Sequence, residues 1–149
     1  MNGIAERYDI AAFVQTEMAV SVTTVTAGGD KDGVYFDTAS IIIDRHSIQN
    51  PQSAEIAVPI FPTLASGQTA KVKIKVQDSD ESAGTYADYD ESDETTIGES
   101  GVQALVKFAT NLVGAKQFIK IALKVTLSAA NTDTAVVAAL GVFEAGKEF

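Results

Sequence analysis

Residues 70–90, AKVKIKVQDSDESAGTYADYD, decide the fold. Val72, Ile74 and Val76 fall on one side of an extended chain, and Lys71, Lys73 and Lys75 fall on the other. Side chains alternate along a strand with a period of two, so the pattern needs a sheet with one buried and one wet face. The strand runs into the polar turn DSDESAG and then reaches Tyr86 and Tyr89. Nothing in the stretch is arranged for bond-making chemistry.

The same alternation returns at residues 117–127, QFIKIALKVTL, with Ile119, Ile121, Leu123, Val125 and Leu127 as the inward set. After the turn cluster SAANTDT, residues 135–143, AVVAALGVF, read as the last strand, and the two are expected to pair as an antiparallel hairpin. Upstream, residues 18–26 (MAVSVTTVT) and 55–60 (EIAVPI) read as strands, and residues 34–43 (VYFDTASIII) as a strand bent near Asp37 and Thr38. Pro59 and Pro62 are expected to keep their strand off the centre of a sheet or to end it early. Ile41, Ile42 and Ile43 form a continuous apolar run, which suits burial on both faces or a subunit contact. Residues 102–109, VQALVKFA, fit helix or strand by period.

Residues 1–17 have no clean period. Ile4, Tyr8, Ile10 and Phe13 are scattered anchors, as in an arm that lies over something or a short helix packed on its own domain. The expected organisation is therefore an N-terminal arm (1–17) and a single all-β domain (18–149). Short strands parted by turn clusters, with no βαβ rhythm, give an antiparallel β-sandwich.

From Asp78 to Glu99 the chain carries nine acidic residues and no Lys or Arg. Like charges repel and stay solvated, so a long exposed acidic loop is expected. Within it Asp78, Asp80, Tyr86, Asp88 and Tyr89 are the candidates for an exposed interaction surface. The lysines of the opening strand read either as a basic stripe for an acidic partner or as the wet face of a strand, guarding an edge.

The totals narrow the function. A chain of 149 residues that is 46% hydrophobic and 21% charged has enough material for one real core. Its net charge of −9 opposes direct contact with nucleic acid or an anionic membrane. Without cysteine there is neither a disulfide nor a thiolate metal site. No signal peptide is legible, and no apolar stretch has the length of a membrane span. His46 stands beside Asp44 and Ser47, but sequence neighbours seldom converge as a triad, so a polar loop is the plainer reading. Asp78 with Asp80, and Asp88 with Asp90, offer hard oxygen ligands without the spacing of a calcium loop. No catalytic residue, metal or cofactor is expected.

With those residues in view, VKIKVQDSDESAGTYADY resembles the strand, Q-D/T-S-D, glycine and aromatic segment of tailed-phage capsid cement (head decoration) proteins of the jelly-roll type. Residues 115–121, AKQFIKI, and the Ala/Val/Gly-rich residues 135–146 also match that family's C-terminal strands. The family usually has Arg and Tyr where this chain has Lys116, Gln117 and Phe118. The resemblance implies a jelly-roll homotrimer, made in the host cytoplasm. It would sit on the outer surface of the virion, bridge major capsid protein subunits and stabilise the shell. The rival is a cation- or carbohydrate-binding β-sandwich module using the acidic loop; an enzyme is not expected.

Overall fold

The computed structural model describes residues 14–128 and 132–144. Among the described residues ten strands run in order: β1 Val14–Thr26, β2 Tyr35–Phe36, β3 Ile43–Asp44, β4 Ser53–Thr63, β5 Ala70–Ser79, β6 Ala87–Glu91, β7 Thr95–Ile97, β8 Ala104–Asn111, β9 Phe118–Leu127 and β10 Thr134–Glu144. A 3-10 turn, Arg45–Ile48, lies between β3 and β4. They form two antiparallel sheets, β1-β10-β4-β8 and β2-β9-β5-β6, with β3 added to β9 and β7 to β5.

Count β2 with β3, and β6 with β7, as one interrupted strand each. The eight strands then pair first with eighth, second with seventh, third with sixth and fourth with fifth. That is a long antiparallel ribbon rolled up on itself, with β4·β10 and β5·β9 as the closing contacts. The fold is a jelly-roll β-sandwich.

The alternation read from the sequence drives this arrangement. On β5 the inner row Ala70, Val72, Ile74 and Val76 is fully buried, and Ile119, Ile121, Leu123 and Val125 of β9 lie beside it. From the other sheet Val20, Ile56, Val58, Ile60, Val137 and Phe143 close the core. Gly141 serves that packing: a Cβ there would stand 2.5 Å from the ring of buried Phe143.

Four sequence expectations are corrected. β9 and β10 do not form a hairpin; they belong to different sheets, because both carry an inward set and face each other across the core. β4 is a central strand despite its prolines. Its ladder to β10 lapses opposite Pro59, pairing at Val137↔Ile60 and resuming at Leu140↔Ala57. Pro62 lies beyond the last β8 partner, Ala104↔Ile60, so its missing N–H costs no ladder bond. The isoleucine run is not buried on both faces: Ile43 is buried in the short β3, whereas Ile41 and Ile42 are partly exposed. The first strand begins at Val14, ahead of the expected Met18, so residues 14–17 belong to the sheet. Residues 1–13 of the expected arm lie outside the described residues.

Candidate functional site

The excursion expected to be a long exposed loop folds back instead. Residues 87–91 and 95–97 return as β6 and β7 and pair with β5, so β5 is an interior strand with no edge to guard. Its outward lysines are met by carboxylates from those neighbours: Lys73 Nζ lies 2.8 Å from Glu91, Lys75 3.1 Å from Asp88 and Lys71 3.6 Å from Glu94. Lys120 on β9 adds a 2.8 Å contact with Asp37. Tyr35 lies among them, its hydroxyl donating to Glu91 while Lys75 Nζ stands 4.0 Å above its ring. A cation over an aromatic face is attracted by the ring quadrupole. The outer face of this sheet is thus a lattice of opposed charges.

The lattice moves proton affinities as such pairs must. Hydrogen bonds from Lys73 and Tyr35 hold the Glu91 carboxyl down at about 2, and the same pairing raises Lys73. Bonds from Gln77 and Lys75 lower Asp88. Tyr35 is pushed well above the usual phenol range, first by burial and then by Glu91.

The five sequence candidates separate. Asp88 joins the lattice and also accepts a bond from Gln77 at 3.1 Å. Tyr86 lies under Lys120 Nζ at 4.4 Å and donates to the Ser82 carbonyl at 3.0 Å. Asp80 is exposed, 3.5 Å from Lys116 Nζ. Asp78 is not exposed: it continues the inner row of β5, is buried, and accepts the Lys116 amide at 3.0 Å. Tyr89 is turned inward by a bulge, since Val76 pairs with Asp90 and Gln77 with Asp88, leaving Tyr89 unpaired between them. Its hydroxyl donates to the Asn111 carbonyl at 2.6 Å, tying β6 to the end of β8.

Asp78 and Tyr89 therefore belong to a structural hub that closes one end of the sandwich. Its centre is buried Arg45, whose guanidinium donates to four carbonyls: Ala115, Lys116 at 3.1 Å, Pro51 at 3.0 Å and Leu112 at 2.9 Å. Sequence reading placed Arg45 in a polar loop, and no local signal marks it as interior. His46 forms no triad geometry with its neighbours: the Asp44 carboxylate caps the 3-10 turn at the His46 amide, 3.0 Å away, and Ser47 donates to the Asp44 carbonyl. Among the described residues no group of three or more His, Asp or Glu is placed to hold a metal ion.

The opposite outer face is of another kind. Across β1, β10, β4 and β8 the outward rows read Thr24–Val136–Phe61, Met18–Leu140–Ala57–Lys107 and Thr16–Val142–Glu55–Ala109, with Pro59 beside Leu105. A fourth row, Val14–Glu144–Ser53–Asn111, completes the face, so its charges are Glu55 and Lys107, 3.9 Å apart, and Glu144. Leu105 is 55% exposed, Phe61 45% and Val136 37%, and Val22 at 68% lines the same shallow groove as Phe61 and Val136. Met18, Ile41 and Ile42 continue the apolar surface around the β1 edge. Exposed apolar side chains that share a groove offer area that a partner could bury.

Comparison with known structures bears on the architecture. Over 91% of its length the chain superposes on a protein of infectious bursal disease virus, Gx strain, with a TM-score of 0.54 and 17% identity. The fold is shared. The chain spans about a third of that protein's length (34%). It is also similar to the VP2 subviral particle protein of the same virus (TM-score 0.47, 16% identity, 89% of this chain and 33% of that one). A further neighbour is the C-terminal family 22 carbohydrate-binding module of Clostridium thermocellum Xyn10B (TM-score 0.45, 12% identity, 91% and 88%). No protein-family model matches the chain, and neither does any curated protein sequence.

Proposed function

We propose that this jelly roll is a non-enzymatic structural protein of a phage virion. It binds the outside of the capsid, bridges major capsid subunits and stabilises the shell. The observation that carries the reading is the bare apolar face of the β1-β10-β4-β8 sheet, set behind a charge-paired face on a stiff sandwich. The first supplies area to bury against a partner; the second, with the chain's net charge of −9, keeps a crowded shell soluble. Binding only to the assembled state shifts its stability by mass action, with no chemistry needed. The motif resemblance at residues 72–89 supports the assignment to a decoration role. It also supports a homotrimer made in the host cytoplasm.

The test is to mix the protein with purified expanded phage heads and sediment them. Stoichiometric co-sedimentation, together with a trimeric native mass for the free protein, is the expected result. A protein that stays in the supernatant contradicts the proposal.

A further inference from the structure

Each sheet of the sandwich has two edges, and three of these four edges are blunted. β2 and β3 are two residues long, while β6 and β7 are short, interrupted and acidic at Asp88, Asp90 and Glu91. Along β1, the Ser21 amide donates to the Ala39 carbonyl and the Ile41 amide to the Ala19 carbonyl, which covers that edge. Two register shifts break the same strand further. β8 has none of these protections. It runs eight residues without proline or bulge, and Lys107 is its one charge. An unguarded strand edge is a template for another strand.

The register says which β8 groups point outward. Leu112 donates its amide to the Gln52 carbonyl at 2.8 Å, one step beyond the Ser53↔Asn111 pair. Bonded and non-bonded pairs alternate in an antiparallel ladder, so Ala54↔Thr110, Ile56↔Phe108 and Val58↔Val106 exchange bonds. Pro59, which has no N–H to give, falls opposite Leu105 in the other class. The amides and carbonyls of Leu105, Lys107 and Ala109 therefore point away from β4, and no other described residue bonds them. Their side chains stand exposed on the apolar face.

We propose that two copies of this chain pair β8 with β8, antiparallel, through this rim. The other edges exclude themselves as mates, since among the described residues β8 alone offers a long open rim. Charge sets the register. Lys107 opposite Lys107 would bring like charges together; slid by two residues, each Lys107 faces the second copy's Ala109 instead. Ala109 is small, and its neighbour on β4 is Glu55, which its own Lys107 holds loosely at 3.9 Å. Each Lys107 thus reaches across an alanine towards a carboxylate of the other copy. The Lys107–Ala109 pairs each exchange both of their backbone bonds, as bonded antiparallel pairs do. Such a rim buries little area, so the contact is weak and works between copies held close together. A twofold contact also leaves a threefold one to other surfaces. The inference concerns copies of this chain with one another and does not need a capsid.

Sedimentation equilibrium of the full chain tests this. From micromolar to millimolar concentration the mass should rise by about twofold or more, as a weak contact fills. Ala109→Pro removes an outward N–H without costing a bond to β4, and it should abolish the rise. Ala109→Lys should abolish it too, because it sets like charges opposite each other and leaves the backbone untouched. That variant decides the matter where proline disturbs the strand. A parent mass that stays constant overturns the proposal, and so does an equal rise in the parent and in Ala109→Lys. The chain has no cysteine, so introduced thiols check the register. Lys107→Cys chains mixed with Ala109→Cys chains should link to each other, since bonded partners lie about 5.5 Å apart at Cα. Neither kind alone should link, because the two-residue offset carries like positions beyond disulfide reach. Equal linking in all three samples, or none in the mixture, overturns the proposal.

Discussion

The two outer faces of this sandwich cover one core and solve exposure in opposite ways. On the β5 face every outward lysine of the strand finds a carboxylate from β6 or the turn after it, and Tyr35 and Tyr86 fill the space between. On the β4 face Phe61, Leu105 and Val136 stand in the open, with one loose ion pair and Glu144 as the charges near them. The first face is finished by its own chain. The second leaves its apolar side chains in water, and the proposed capsid contact rests on that difference.

The comparison can be strained from its interior outward. The largest effects belong beneath both faces. Arg45→Met removes a buried guanidinium and strands its four carbonyl partners, so it is expected to lower unfolding free energy by about 3 kcal/mol in urea melts. Ile74→Ala, on the inner row of β5, should cost about 3 kcal/mol by the same measurement, as the loss of three buried carbons opens a cavity in a closed core. Gly141→Ala should cost about 2 kcal/mol, because the added Cβ meets the Phe143 ring.

Acid should then act on the charge-paired face. Glu91 has its carboxyl held down at about 2 by Lys73 and Tyr35. The stabilisation this gives is present above the ordinary carboxyl range and is lost as pH falls from there towards about 2. Thermal melts of Glu91→Gln should therefore lose part of the acid limb seen in the parent protein. Identical limbs would remove Glu91 from the account. The smallest effect is expected for Lys71→Ala, whose exposed partner Glu94 is 3.6 Å away; its melting temperature should match the parent's.

The inner architecture was legible because β5 and β9 each keep one face apolar and one polar, and period two survives any tertiary context that respects it. Pairing was less so. The sequence sees β9 and β10 as neighbours, while the rolled ribbon sends them to opposite sheets. The charge lattice was hidden for a related reason: Lys73 and Glu91 meet only once the acidic stretch returns beside β5, and in sequence that stretch reads as repelling itself. The apolar face was hidden by the strands that make it. In β10, AVVAALGVF, and in β4, EIAVPIF, both faces are apolar, so alternation vanishes and one cannot tell a strand in the core from one awaiting a partner. The run at residues 41–43 posed that same choice, and two of its three side chains proved to face outward.

The central claim is that the apolar face makes the contact. It is tested most directly by co-sedimentation of two variants with expanded heads. Phe61→Asp with Leu105→Asp should keep the parent melting temperature and lose about a hundredfold in capsid affinity, as expected for removing central apolar anchors. Lys71→Ala, on the charge-paired face, should bind as the parent does. Undiminished binding by the Phe61 and Leu105 double variant, or loss of binding by Lys71→Ala, would contradict the account.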